Sequence, residues 1–375
     1  MSDTYRRYRA IKRAMMQFFQ PRPTGHREKH LNTLCALICG LTGGNHAHLS
    51  NIADHAPSNG AKQESVIDRF RRFLKHDRQT IDGALLPVAK ELLTTLARQP
   101  IQLVMDGSVV GRGCLALMLS VVYHGRALPL CWLVVRGTKG HFPETLHQEL
   151  LSQVQAIMPE GASVTFLGDG EFDGTKLQAD LRRGEWQYVC RTASTIGITA
   201  CGVQFHVGSL GPPQGELVAV SPAWMTDAQY GPVSILAIWE QQYQEPIYLV
   251  TNMLDLEMAL QLYKKRPHIE TFFSDLKSRG FHIHKSHLND PKRLSRLLIA
   301  CCLAYLWIVY LGVCAVHQDW MQRLHRQDRC DLSLFRLGLR LLARAFKDHI
   351  PIPDGFLVPM VLPKPLIRTF IKQAA

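Results

Sequence analysis

The sequence predicts an α/β fold, a mixed-sheet domain with a β-rich insertion held between helical N- and C-terminal regions. Three observations predict it. Apolar residues at helical spacing fill the first hundred positions. Beyond Pro100, short apolar and β-branched runs alternate with helical stretches. From Asp255 the helical spacing returns.

The chain has 375 residues, 46% of them hydrophobic, so it can bury a sizeable core and is not a disordered polymer. Its texture divides it into a helical region 1–98, a central domain 99–316 and a helical region 317–375. The net charge of +12 is unevenly spread. Residues 1–100 hold 16 Lys/Arg against 8 Asp/Glu, 101–250 hold 8 against 13, and 251–375 hold 19 against 10. A less basic centre between basic flanks suits a catalytic body held between DNA-gripping parts.

Ten cysteines without a CxxC pair argue against a zinc framework. The N-terminus, MSDTYRRYRAIKR, has no apolar leader core. Both features read as a reduced, cytoplasmic protein. Leu297–His317 has no Asp, Glu, Lys or Arg over 21 residues, long enough for a bilayer. Basic residues flank it without asymmetry (Lys292, Arg293, Arg296; then Arg323, Arg326, Arg329), so it reads as a buried core helix and no membrane is expected.

In the first region Ser65 is placed as the cap of a helix through VIDRFRRFLKHD, with Asp68 completing a capping box. Val66, Ile67, Phe70, Phe73 and Leu74 form its inner face. Arg69, Arg71, Arg72 and Lys75 lie largely outside that face, as phosphate contacts or as an ordinary solvated surface. Ile101–Met105 predicts a strand ending at Asp106. Residues 114–125 and 126–137 predict strands joined by a turn at His124-Gly125-Arg126. A helix over 144–158, a strand over 164–168 ending at Asp169, a helix over 174–184 and a strand over 186–193 complete the central pattern. Residues 194–250 read as the β-rich insertion.

Asp106 and Asp169 each follow an apolar strand, where an α/β sheet presents its ligands, and each precedes a glycine, Gly107 or Gly170. Asp173 is a rival to Asp169. The most specific segment is YKKRPHIETFFSDLKSRG, 263–280. Pro267 suits a first helical position and pushes Arg266 towards extended backbone. Ile269, Phe272, Phe273 and Leu276 make an apolar stripe. Glu270 and Lys277, seven apart, share a helix face within about 20°. They form either a polar surface or a metal ligand beside a phosphate-binding lysine.

The spacing of Tyr263, Arg266, Glu270 and Lys277 resembles the Y-R-E-K signature of the insertion-sequence transposases in the family named after insertion sequence four. The resemblance implies an RNase H-like catalytic domain in which Asp106, Asp169 and Glu270 form an Asp-Asp-Glu metal site. It also implies that Tyr263, Arg266 and Lys277 meet transposon-end DNA, and that a β-strand insertion sits where 194–250 lies. Gly170 and Glu171 replace the Arg and Gly of the family's frequent D-R-G-F version, which puts any role of that arginine in doubt. Such a site takes two Mg²⁺ ions about 4 Å apart, with Mn²⁺ as a substitute. Water first releases a 3′-OH, and that 3′-OH then attacks target DNA; relatives pass through a hairpin at the transposon end.

The implied partners are inverted-repeat ends, target DNA and a second copy of the chain in a synaptic homodimer, with 317–375 as a dimerisation region. The implied location is the bacterial cytoplasm, with the nucleoid. The alternative is a nuclease, or an end-binding repressor, that has lost strand transfer. Weaker signals are the HxHxxH cluster of His282, His284 and His287, and Trp224 and Trp239, candidates either for the core or for stacking a flipped base.

Overall fold

The computed structural model describes residues 2–77, 81–138, 141–317, 320–325 and 331–362. Arg326, Arg329 and most of the basic C-terminal tail lie outside the described residues.

Six helices come first: α1 Asp3–Met16, α2 Gly25–Gly44, α3 Leu49–Asp54, α4 Gln63–Lys75, α5 Ile81–Ala84 and α6 Leu86–Leu96. Then come β1 Ile101–Gly111, β2 Cys114–Tyr123, β3 Arg126–Arg136, α7 Glu144–Gln155, β4 Val164–Gly168, α8 Thr175–Arg183 and β5 Gln187–Thr192. The insertion holds β6 Gly197–Ala200, β7 Val203–His206, β8 Leu217–Met225, β9 Tyr230–Ile238 and β10 Ile247–Thr251. The chain continues with α9 Leu256–Tyr263, α10 His268–Leu276, α11 Pro291–His317, α12 Met321–Leu324 and α13 Leu334–Lys347.

All ten strands form one sheet in the order β3-β2-β1-β4-β5-β10-β9-β8-β6-β7. The first three are antiparallel neighbours, while β1, β4 and β5 run parallel. This is the mixed sheet that the sequence predicts. The insertion does not form a separate layer: β10 pairs antiparallel with β5 and carries the sheet outward. The β2–β3 turn has positive φ at His124 (41°) and Gly125 (75°), the twist-compatible geometry of a two-residue hairpin.

Four local expectations are corrected. Helix α4 starts before Ser65: its cap is Lys62, without a side-chain cap bond, and Asp68 accepts from Arg71 instead. Strand β1 does not end at Met105. It runs to Gly111 because β2 supplies ladder partners beyond Asp106, whereas parallel pairing with β4 stops at Val104. Helix α10 ends at Leu276, so Lys277 is its C-cap and not a residue on the Glu270 face. Arg266 sits in the turn between α9 and α10, where its N–H bonds the Tyr263 carbonyl at 2.9 Å, and is not extended.

Helix α11 is apolar enough to cross a membrane by composition, yet 94% of its most apolar window is buried inside the fold. It packs on α2, α4, α13 and β3. Trp132 donates to Ser295 at 3.0 Å, and Arg296 donates to the Leu74 carbonyl and to Asp77. The N-terminal helices therefore share a core with α11 and α13. Arg6 donates to the carbonyls of Ala345 and Ile350, and Arg13 pairs with Asp354. The boundary near residue 98 separates types of secondary structure; the core runs across it. None of the nine described cysteines forms a disulfide with another, and all but Cys201 are buried.

α11 and α13 cross almost backbone to backbone. A Cβ on Gly338 would lie 1.8 Å from the Ile308 carbonyl oxygen, and one on Gly312 would lie 1.9 Å from that of Leu334. Neither backbone can yield cheaply. Gly338→Ala gains up to about 1 kcal/mol of helix propensity but overpacks the crossing at a cost of about 1–3 kcal/mol or more. Urea unfolding should show net destabilisation; a more stable variant would mean that the two helices are not in contact.

Candidate active site

The site forms where the parallel part of the sheet ends. Asp106 projects from β1 just past its last pairing with β4, and Asp169 follows β4 directly. The Asp106 carboxylate accepts the Gly107 N–H at 2.7 Å, and Asp169 accepts that of Glu171 at 3.0 Å. The two glycines differ in their reasons. A Cβ at Gly107 would lie 2.5 Å from the Phe142 ring, so glycine there makes room for Phe142, while Gly170 faces open space.

The third carboxylate arrives on α10, whose stripe of Ile269, Phe272, Phe273 and Leu276 is buried as expected. Arg126, at the start of β3, pairs with buried Asp275 at 2.8 Å and anchors this helix to the hairpin. Glu270 is thereby held at the mouth of the site, with its side chain 58% exposed.

One guanidinium lies among the three acids. Arg266 Nη2 is 2.5 Å from Asp169 Oδ2 and 3.2 Å from Asp106 Oδ2, and its Nη1 is 2.7 Å from Glu270 Oε1. The Arg266 side chain is 13% exposed, and its Nε is buried without an acceptor. Among the described residues no three His, Cys, Asp or Glu are gathered at metal-ligand spacing; the three carboxylates instead converge on this guanidinium. The donors still fit a hard divalent cation: three carboxylates from three elements, arranged around a positive charge that stands in for one.

Lys277 reaches the same strand. Its Nζ donates to Ser108 Oγ at 2.6 Å, two residues beyond Asp106 on the same face of β1. Burial lowers its pKa, and the charge of Asp106 opposes that shift. Ser108 gave no signal in the sequence, since the contact spans 169 positions. Tyr263 lies near Arg266 and Asp169, and burial pushes its hydroxyl up to about 12.

Asp173, the rival to Asp169, is held instead by the Thr192 hydroxyl at 2.7 Å. Glu171, at the departure from D-R-G-F, accepts the Phe142 N–H at 2.5 Å and lies 3.4 Å from buried His147. It thus ties the segment carrying Phe142 to the Asp169 loop.

The remaining candidates lie elsewhere. Helix α4 packs on α2, α3 and α11, so Arg69 and Arg72 are not brought to the carboxylates. Arg69 is half-buried, 5.4 Å over the Phe70 ring and 3.4 Å from the Pro57 carbonyl. Arg72 stays exposed, bonded to the Asp68 carbonyl. Trp224 and Trp239 are half-buried in the extension of the sheet, so neither is a full core residue.

A family model described as a transposase DDE domain matches residues 76–307, which include all three carboxylates, Tyr263, Arg266 and Lys277. The chain belongs to the transposase DDE-domain family. It is a DNA transposase, a DNA-cleaving and strand-transferring enzyme of a divalent-cation-dependent class. Among curated proteins none matches the sequence. A cryo-EM structure of a piggyBac transposase synaptic complex with hairpin DNA is similar over 96% of this chain and 85% of that one, with 13% identity and a TM-score of 0.43.

In the transposase, burial pushes the Asp106 carboxyl up to about 6; Asp169 and Glu270 add to the shift, and Arg266 and the Gly107 N–H oppose it. A carboxyl raised above its ordinary value of about 3.9 binds its proton more tightly in the folded state. Its contribution to stability is therefore present at low pH and lost as pH rises through about 6. Without metal, Asp106→Asn should gain on wild type by on the order of 1–3 kcal/mol between about pH 4 and pH 8. A divalent cation should narrow that gap at the upper end. Melting curves in EDTA whose difference stays flat with pH would overturn this account of the site.

Proposed function

We propose that Asp106, Asp169 and Glu270 are the metal-binding carboxylates of this transposase, that Mg²⁺ is the natural ion with Mn²⁺ as substitute, and that the enzyme excises an element by cut-and-paste. The observation that carries the reading is the arrangement of three carboxylates around one guanidinium, with Lys277 bonded to Ser108 beside Asp106. When bound, a pair of divalent ions would activate water and relieve charge on the leaving 3′ oxygen.

The side chains divide the remaining work. The carboxylates orient whatever cation occupies the site and exclude other nucleophile positions. Arg266 and Lys277 cannot ligate a cation, so their role is to hold phosphates of the transposon end beside the acids. Tyr263 keeps its proton through the working pH range and can donate a hydrogen bond to the DNA backbone. A 3′-OH left by the first cut can occupy the position vacated by water, so one site serves cleavage and joining. Synapsis of two ends calls for a second copy of the chain, and we infer a homodimer acting on inverted-repeat ends and target DNA in the bacterial cytoplasm. The fit of these residues to the Y-R-E-K signature supports the assignment to the family named after insertion sequence four.

The test uses purified protein, a labelled DNA end and Mg²⁺. Alanine at Asp106, Asp169 or Glu270 should cut nicking by about a thousandfold or more while gel-shift affinity for DNA is kept. Lys277→Ala and Arg266→Ala should slow nicking about a hundredfold and weaken binding, and extra Mg²⁺ should not rescue them. Normal nicking by Asp169→Ala beside an inactive Asp173→Ala would move the second ligand. Nicking without any joined product would favour a nuclease that has lost strand transfer.

A further inference from the structure

The HxHxxH segment is not isolated. The loop between α2 and α3 brings His46 and His48 against it, 234 or more positions away in the chain. His46 stacks on His282 with ring centroids 5.4 Å apart, and His48 meets His287 edge-on at 5.2 Å. His282 lies 5.9 Å from His284, and His46 lies 6.5 Å from His48. Lys285 sits within the same segment, and Lys277 acts on His284.

Two features set this cluster apart from a packed surface. Its backbone holds Asn45, His282 and His287 at φ values of 50°, 51° and 61°, the left-handed region that costs non-glycine residues energy and collects at functional sites. Its charges are all of one sign. The groups acting on His46 are His282, His48, Lys285 and His284; those acting on His284 are His282, Lys285 and Lys277. No carboxylate is among them. Asp290, the next acid along the segment, instead accepts the Arg293 N–H at 2.8 Å at the start of α11.

Burial and these neighbours depress His46 and His284 below the ordinary histidine range. His282 Nδ1 is buried without a partner. Among the described residues the histidines are not gathered at metal-ligand spacing.

The cluster also adjoins the active site. The 3-10 turn Ile283–Lys285 packs on β1, and the Arg112 N–H bonds the Leu288 carbonyl at 3.3 Å. Along β1 the order is Asp106, then Ser108 with Lys277, then the Gly111 end, beside which the cluster lies. DNA presents one phosphate per about 3.4 Å of axis on each strand, so a duplex placed at Asp106 offers phosphates to everything along this track.

We infer that His46, His48, His282, His284, His287 and Lys285 form a second DNA-phosphate surface, continuous with Lys277, on which His46 and His284 take up protons as DNA docks. This rests on the transposase reading and adds to it a specific surface and a linkage. An approaching phosphate supplies the negative charge that the cluster lacks, so protonation and docking favour each other. The sign follows: affinity rises as pH falls, because proton uptake is easier near the ordinary histidine range of about 6.5 than at higher pH.

The experiment measures binding of the full chain to a fluorescent mixed-sequence duplex of about 40 base pairs in EDTA at about pH 6 and pH 8, with salt fixed. Wild type should bind about tenfold or more tighter at the lower pH, and calorimetry in two buffers of different ionisation enthalpy should show proton uptake. His284→Gln/His287→Gln changes exposed residues only and should lose most of that rise and part of the uptake, with an unchanged melting temperature. Adding His46→Gln should remove more. A variant that keeps the full pH dependence and proton uptake would overturn this inference and leave the transposase reading intact. Wild type that binds no duplex at either pH would overturn both.

Discussion

Three carboxylates in one partly enclosed site repel each other, and the structure around them is organised by the cation that answers this repulsion. At about 4 Å and an effective dielectric near 20, a pair of unit charges interacts by about 4 kcal/mol, comparable with much of a domain's net stability. Arg266 supplies the answering charge through two nitrogens, reaching acids on β1, after β4 and on α10. Its position follows from the tight turn between α9 and α10, where the Arg266 N–H bonds the Tyr263 carbonyl. The raised Asp106 carboxyl shows that this single charge does not fully offset burial and the other two acids. A site in that state favours a further cation.

The scaffold exists to hold α10 against the sheet. Buried Asp275 pairs with half-buried Arg126, and the site of Glu270 depends on that contact. Such a pair adds little net stability compared with apolar residues, but removing one partner strands a charge at a cost of about 3–5 kcal/mol. It fixes position rather than supplying stability. Behind α10, helix α11 fills the interior and gathers the N-terminal helices and α13 around it. The loop after α2 thereby comes to lie against the segment after α10, which is how histidines from the two ends of the chain meet.

Much of this was legible in the sequence, and its own physics says why. Apolar periodicity located the helices, alternating runs located the strands, and the fixed gaps from Tyr263 to Lys277 singled out the segment that meets the two aspartates, because each is a local property of consecutive residues. The uninterrupted apolar run of α11 declared a helix but left open whether protein or lipid surrounds it. Composition alone also set the reduced cysteines and the basic flanks.

Only the tertiary structure decided which surfaces meet. The extent of β1 past Asp106 depends on the ladder offered by β2, and the end of α10 at Leu276 moves Lys277 off the Glu270 face and onto Ser108. Arg69 reads as a free charge in sequence but is drawn into packing by Tyr8, Phe70 and Pro57. The pairing of His46 with His282 has no local signature at all. These outcomes depend on packing and charge between elements far apart in the chain, where free energy is shared among neighbours that the order of residues does not identify.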